Sequence, residues 1–241
     1  MADEYIDLLE QFPCLVASHT SPLSIITDKA LRDSAQQQEM EWSRVGIAYS
    51  DPYIHVLRDV VRFQDNSFAV FKRVVLKGAL SKRHPVAIVP ITQDRKVVLL
   101  KIWRHATQSW HIEIPRGMSE GDESAEEAAQ RELFEETGYQ SEGVEQLGYI
   151  YPDSGILHYQ VAVFLARVGN RTHYEKDHTE CIDNVFLVDL EQLLPAHRMG
   201  SIVLEGQSYP LCDPFLAYAL YVGLLESSEK PNQNDLNDKR P

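Results

Sequence analysis

Eight acidic side chains lie between Gly117 and Tyr139, in a segment that runs Ile114-Pro-Arg-Gly-Met-Ser-Glu-Gly-Asp-Glu-Ser-Ala-Glu-Glu-Ala-Ala-Gln-Arg-Glu-Leu-Phe-Glu-Glu-Thr-Gly-Tyr139. Ser124 and Glu127 fit a capping box, Gly138 fits the residue just past a helix end, and good helix formers fill the space between. The spacing predicts a helix over about 125–137. On that helix Ala125, Ala128, Ala129 and Leu133 form one apolar stripe. Glu132 and Glu136 fall inside the stripe and Glu135 lies beside it, one turn from Glu132. Glu127 and Arg131 stand four residues apart on the outer flank. A solvated acidic face would keep its glutamates away from the apolar stripe. Carboxylates turned toward a fold repel one another and lose hydration. Hard divalent cations relieve both costs, because Mg²⁺ takes oxygen ligands and keeps part of its water shell. The acids therefore read as a metal site built on a rigid helix.

Gly117, Glu123, Arg131, Glu132, Leu133, Glu135, Glu136 and Gly138 stand at the spacings of the pattern G-x5-E-x7-R-E-U-x-E-E-x-G-U, where U is a bulky aliphatic residue. That pattern is the signature of the Nudix hydrolases, which this segment resembles without a gap; Tyr139 at the last position is the one departure. Glu113-Ile-Pro-Arg-Gly117 looks like the E-x-P-A-G entry of the ADP-ribose pyrophosphatase branch. Val97-Val-Leu-Leu-Lys-Ile-Trp-Arg104 is similar to that branch's strand ending in a phosphate-contacting Arg. Tyr151-Pro-Asp-Ser-Gly155 resembles its Y-P-x-x-G loop, a couple of residues closer to the box than that branch has it. Glu180 resembles the glutamate of its late loop. The resemblance spans roughly residues 45–225.

The resemblance implies Mg²⁺-dependent attack of water on the diphosphate of ADP-ribose or a related ADP-sugar, with Mn²⁺ as a substitute cation. By it, Glu132, Glu136 and Glu135, with the Arg116 carbonyl, are the metal ligands. Arg131 orients the glutamates, and Glu123 does likewise from the loop. Glu180 is the general base, with His178 as the alternative. Arg104, Glu113, Arg116 and Gly117 are the substrate-binding residues. Arg116 stands where the branch carries a small residue, so its side chain either touches a substrate phosphate or points to solvent. Two other substrate readings stay open: a dinucleotide such as NADH or a diadenosine polyphosphate, and ADP-ribose binding by a non-catalytic sensor. Trp103, Trp110, Tyr151 and Tyr174 are aromatics for adenine stacking or for the core. His105, His111 and His158 read as packing or rim residues.

The elements must carry this segment. The resemblance implies an α/β fold: a Nudix (MutT-like) α/β/α sandwich with a mixed β-sheet. Residues 46–226 form that domain, 1–45 an N-terminal extension, and 227–241 a polar tail expected to be disordered. In the extension, Tyr5, Leu8, Leu9 and Phe12 repeat at helical spacing, and 28–42 is a polar helical stretch. The extension packs on the domain or serves as a dimer arm. Strands are expected at 55–63 and 68–80 around Gln64-Asp-Asn-Ser, and at 85–92 and 96–103 as a second hairpin across Gln93-Asp-Arg. Further strands are expected at 110–114, 144–151, 159–168 and 184–188, with helices at 189–199 and 213–225.

The formal net charge of −13 argues against unspecific binding to nucleic acid or anionic membranes, which wants a basic surface. It also means that a phosphate substrate needs bridging cations. No apolar run approaches the roughly 20 residues that cross a bilayer. The acidic start Met1-Ala-Asp-Glu-Tyr5 lacks the features of a secretory signal. Cys14, Cys181 and Cys212 are far apart and form no metal-thiolate motif. A cytoplasmic, reducing location and a homodimer are the expectations.

Overall fold

The computed structural model describes residues 3–16, 23–38, 45–172 and 181–229. The chain divides into two compact units, 1–82 with 151–159, and 83–150 with 160–241.

In the first unit, helix α1 (Glu4–Gln11) turns Tyr5, Leu8 and Leu9 inward, as the spacing predicts, onto a core with Leu15, Leu57 and Val75. Strand β1 (Ser24–Ile25) and helix α2 (Lys29–Gln38) follow. Trp42, the predicted end of the polar helix, lies outside the described residues. Strands β2 (Gly46–Ser50), β3 (Ile54–Arg62) and β4 (Phe68–Leu76) form an antiparallel sheet in which β3 is paired with all the others. Asn66 takes a left-handed φ of 65° in the β3–β4 turn, where the Asp65 carboxylate accepts from Ser67 N. The strand predicted over 68–80 ends at Leu76, and helix α3 (Lys77–Leu80) takes its last residues. Tyr5 donates to Asp59 Oδ1 at 2.5 Å, and Arg73 Nε lies 2.7 Å from Asp59 Oδ2. The segment 151–159 adds to the free edge of β4 through Val74 N on the Ile156 carbonyl and His158 N on the Val74 carbonyl. Burial first, then the charge of Arg73, lowers the His158 pKa, against a smaller opposite pull from Asp59.

The second unit holds strands β5 (Pro85–Thr92), β6 (Lys96–Arg104), β7 (Ser109–Glu113) and β8 (Arg116–Met118), then helix α4 (Ala125–Thr137), strands β9 (Ser141–Ile150), β10 (Val161–Val168) and β11 (Ile182–Asp189), helix α5 (Leu190–Met199), the hairpin β12 (Ser201–Leu204) and β13 (Gln207–Pro210), and helix α6 (Pro214–Glu229). Its mixed sheet runs β11-β6-β5-β10-β9, with β10 parallel to β5 and the other pairs antiparallel. Helix α4 packs Ala128, Ala129 and Leu133 on Val86, Ile88, Val98, Phe164 and Ala166. Helix α6 packs against β5, β9 and β10. This is the expected α/β/α sandwich. The β9 strand begins earlier than expected, at Ser141, and α6 runs past residue 225. No helix among the described residues is long and apolar enough to cross a membrane.

One feature of the sheet departs from the hairpin read in the sequence. Strands β5 and β6 pair only at Ile91 and Val97, beside their turn, and then diverge. Strand β7 takes the β6 side of the gap, with Leu100 opposite Glu113 and Arg104 opposite Ser109. Strand β8 takes the β5 side, with Val86 opposite Gly117 and Ala87 opposite Arg116. The Ile114–Pro115 link crosses between them, and the Pro115 carbonyl accepts from Ile88 N at 2.9 Å. Buried backbone groups must be paired, so a splayed strand pair is stable only when another segment fills it. Here the filling segment is the one that carries the chemistry.

Candidate active site

Helix α4 begins as its sequence predicts. Ser124 Oγ accepts from Glu127 N (3.2 Å), and Glu127 accepts from Ser124 N (2.8 Å), a complete capping box. Gly138 ends it at φ 74°, with its amide on the Phe134 carbonyl. Two turns of the helix face β8. Glu132 and Glu136 are only 8% and 5% exposed. Arg116 N donates to Glu136 Oε2 at 2.9 Å, and Met118 N to Glu132 Oε1 at 3.2 Å. A Cβ at Gly117 would overlap the Glu132 carboxylate, so this glycine exists for close approach.

Arg131 ties the cluster together. Its Nε donates to Glu123 Oε1 (2.9 Å), its Nη1 to Glu132 Oε1 (3.0 Å) and Glu135 Oε2 (2.8 Å), and its Nη2 to the Met118 carbonyl (3.0 Å). Burial opposes the charge of this guanidinium. The bonds it donates to Glu123 and Glu135 and the charge of Glu132 outweigh it and raise the pKa above its ordinary value. The Arg131 bond, followed by the Glu120 amide, lowers the pKa of Glu123. Arg131 therefore turns toward the acids rather than pairing with Glu127, which the capping box occupies.

Across the gap, Glu113 Oε2 accepts from Arg104 Nε (2.8 Å) and Nη2 (2.5 Å) and also from Arg116 Nη2. Arg116 thus bonds within the site and does not extend into solvent. Trp103 and Trp110 pack edge to face at 5.5 Å, and the Lys101 ammonium lies 4.9 Å over the Trp110 ring. Their β-bridge partners place them on the strand face opposite Arg104 and Glu113. They are therefore packing residues, not stacking partners within this cluster. His111 shares Nε2 with Thr107 and Ser109 hydroxyls, and His105 bonds Gln108. Tyr151 and His158 belong to the first unit. Glu180, His178 and Tyr174 lie outside the described residues.

Sequence reasoning missed two supports. Ser119 is fully buried; its Oγ accepts from His84 N (2.7 Å) and its carbonyl from Arg83 Nε (2.5 Å), which anchors the loop before α4. Asp213 is 3% exposed. Its Oδ1 accepts from Phe215 N and its Oδ2 from Ile114 N, each at 3.0 Å. Asp-Pro at a helix start is a readable capping signal; the bond to Ile114, far away in sequence, is not. Asp213→Ala leaves two amides without these partners and is expected to cost about 2 kcal/mol in chemical denaturation. Wild-type stability in the variant would show that the bond to Ile114 does not hold the loop.

The donor chemistry fits a hard cation. Glu123, Glu132, Glu135 and Glu136 bring four carboxylates against the one guanidinium of Arg131, and the buried pair among them, Glu132 and Glu136, needs compensating positive charge. The side chains are turned to Arg131 and to backbone amides, and no three His, Cys, Asp or Glu side chains converge on a metal position among the described residues. The site also differs in place from an open depression of about 860 Å³ bordered by Thr92, Gln93, Arg167 and Asn170, at the other end of β5 from Gly117.

This chain is similar to known proteins. The NUDIX domain model matches residues 82–204, which contain every described residue of the cluster except Asp213. An ADP-ribose pyrophosphatase of Bacillus subtilis (strain 168) is 37% identical over 95 residues, 37% of this chain and 51% of that protein. The chain thus spans about half the length of that relative. An uncharacterized Nudix hydrolase of Schizosaccharomyces pombe is 37% identical over 145 residues, 58% of this chain and 69% of that protein. A crystal structure of an ADP compounds hydrolase superposes with a TM-score of 0.59 at 18% identity, covering 79% of this chain and 100% of that one, which shows the shared fold. With the family model matching more than half of the sequence and a Nudix relative covered over more than two thirds of its length, this chain belongs to the Nudix family.

Proposed function

We propose that this chain hydrolyses the diphosphate linkage of ADP-ribose or a related ADP-sugar, releasing AMP and a sugar phosphate. The observation that carries the reading is the pair of buried glutamates, Glu132 and Glu136, held against the β8 backbone by Arg131 and the Arg116 amide. The similarity to an ADP-ribose pyrophosphatase supports the substrate class. Nudix hydrolases generally use divalent metal ions. Glu132, Glu136 and Glu135, with the Arg116 carbonyl, would hold Mg²⁺, or Mn²⁺ in its place. Such an ion lowers the pKa of bound water and neutralises charge on phosphate oxygens. Little covalent work falls to the protein, so its own residues position and stabilise. Arg131 keeps the acids in place, Arg104 clamps phosphate, Glu113 holds Arg104, and Gly117 admits close backbone approach. Glu180, by its resemblance to the late-loop glutamate of the ADP-ribose pyrophosphatase branch, takes the proton of the attacking water, with His178 as the alternative. The setting is a homodimer in the cytoplasm, with a small nucleotide as partner and no nucleic acid.

Product analysis by ion-pair chromatography tests the reading. Full-length protein is incubated with ADP-ribose, ADP-glucose, NADH, a diadenosine polyphosphate and GDP-mannose, each with Mg²⁺ and with EDTA. AMP and ribose 5-phosphate from ADP-ribose, lost in EDTA, is the expected result. Products from NADH or the diadenosine polyphosphate alone would reassign the substrate. No product from any of them with Mg²⁺ or Mn²⁺ would sink the hydrolase reading in favour of a sensor.

A further inference from the structure

We propose that Arg116 is a specificity-determining residue, joined to Arg104 through Glu113 so that the two guanidinium groups hold the two phosphoryl groups of a diphosphate and discriminate against the monophosphate products. This inference rests on the pyrophosphatase reading above.

Three observations carry it. First, one carboxylate oxygen, Glu113 Oε2, accepts from both Arg104 and Arg116. One negative charge thus stands against two positive ones, so the triad keeps a net positive charge within a chain of formal charge −13. Second, the acid stands behind and the cations in front. The Glu113 side chain is 9% exposed, those of Arg104 and Arg116 35% and 25%. An incoming anion meets guanidinium before it meets carboxylate. Third, Arg116 is fixed from two further directions. Its guanidinium carbon lies 5.4 Å from the centre of the buried Phe215 ring, and its backbone amide donates to Glu136. The same residue therefore links the positive pair to the acidic helix where the linkage would be broken.

His111 adds no charge to this field. Burial first, then the nearby Arg104 and Arg116, lowers its pKa, so the positive potential at neutral pH belongs to the arginines. A guanidinium fork matches a phosphate's oxygens, and a lysine ammonium is only a point charge. Two forks on a common anchor match two linked phosphoryl groups. A monophosphate satisfies one of them. The pair would thus retain the diphosphate and release both products, each of which carries a single phosphate. Arg116 stands where the pattern of the ADP-ribose pyrophosphatase branch has a small residue.

The test uses full-length protein with R116A, R116K, R104A and the R104A/R116A double variant, ADP-ribose as substrate and AMP as product inhibitor. R116A is expected to raise KM for ADP-ribose about tenfold or more, the size of one lost charge-assisted hydrogen bond, with kcat within about threefold. The AMP inhibition constant should move by less than about threefold in the same variant. The double variant should lose less than the product of the two single losses, because either arginine left alone faces the whole charge of Glu113. R116K should recover less than half of the R116A loss, since it restores charge without the fork. Thermal unfolding checks that each variant folds; should R116A not fold, the R116K shift in KM for ADP-ribose relative to AMP decides the matter. An unchanged KM in R116A, or equal losses for ADP-ribose and AMP, overturns the proposal. Failure of the hydrolase reading looks different: the wild-type protein then turns over no ADP-ribose. Calorimetric binding of ADP-ribose to wild type and R116A still reads the pair in that case, with about tenfold weaker binding in its favour and equal affinity against it.

Discussion

Glu136→Gln is expected to remove nearly all turnover of ADP-ribose while the protein stays folded. The variant keeps the shape of the side chain and an oxygen to accept from Arg116 N, the bond seen at 2.9 Å. It loses one negative charge from an acidic cluster, so repulsion among Glu132, Glu135 and Glu136 falls. Folding should therefore be unaffected or slightly favoured. On the proposed reading, a charge that would hold a divalent cation against a phosphate oxygen is lost with it. Such charge stabilisation amounts to several kcal/mol, and about 1.4 kcal/mol is a factor of ten in rate, so kcat/KM should fall on the order of a hundredfold to a thousandfold. Steady-state kinetics over a series of Mg²⁺ concentrations, beside thermal unfolding, makes the measurement. Activity within a few-fold of wild type at every Mg²⁺ concentration would remove Glu136 from the metal site.

Arg131→Ala should be as damaging, for a different reason. The guanidinium neutralises part of the charge of Glu123, Glu132 and Glu135 at once and also bonds the Met118 carbonyl. Without it, the carboxylate of Glu132, buried in the intact protein, loses the guanidinium beside it, and the loop from Met118 to Glu123 loses its tie to α4. Removing one partner from a fully buried charge network costs about 3–5 kcal/mol, and solvent at Glu123 and Glu135 brings the expected cost here to about 2 kcal/mol. Loss of a residue that orients metal ligands costs about tenfold to a hundredfold in metal affinity. The expected result is a lower unfolding midpoint together with a higher Mg²⁺ requirement. Arg131→Lys should recover part of the stability, through its charge, and little of the Mg²⁺ dependence, since one ammonium cannot reach Glu123, Glu132, Glu135 and the Met118 carbonyl together. A variant that unfolds at the wild-type midpoint and needs no extra Mg²⁺ would show that the network is incidental.

Much of the site was legible because local rules decide it. A helix places residues four apart on one face, so the inward turn of Glu132 and Glu136 followed from their spacing with Ala128, Ala129 and Leu133. The capping box and the left-handed Gly138 were equally local. The same holds for α1, where Tyr5, Leu8 and Leu9 are buried as their spacing requires. The strand predicted over 68–80 failed at its end because Leu76 to Leu80 carries no alternation strong enough to resist a turn of helix.

The sequence by itself determined which residues form the acidic helix, where that helix starts and stops, and which family the chain resembles. Those properties depend on neighbours within a few residues, which the order of side chains specifies directly. Only the tertiary structure decided that β5 and β6 separate after Ile91 and Val97, that β7 and β8 fill the gap, and that Asp213 holds Ile114 from the start of α6. It also decided the direction of Arg116, toward Glu113 and Arg104. Each of these depends on pairing backbone groups and charges distant in the chain. A buried amide or carboxylate must find a partner somewhere, but the sequence does not say which distant partner folding will bring within reach.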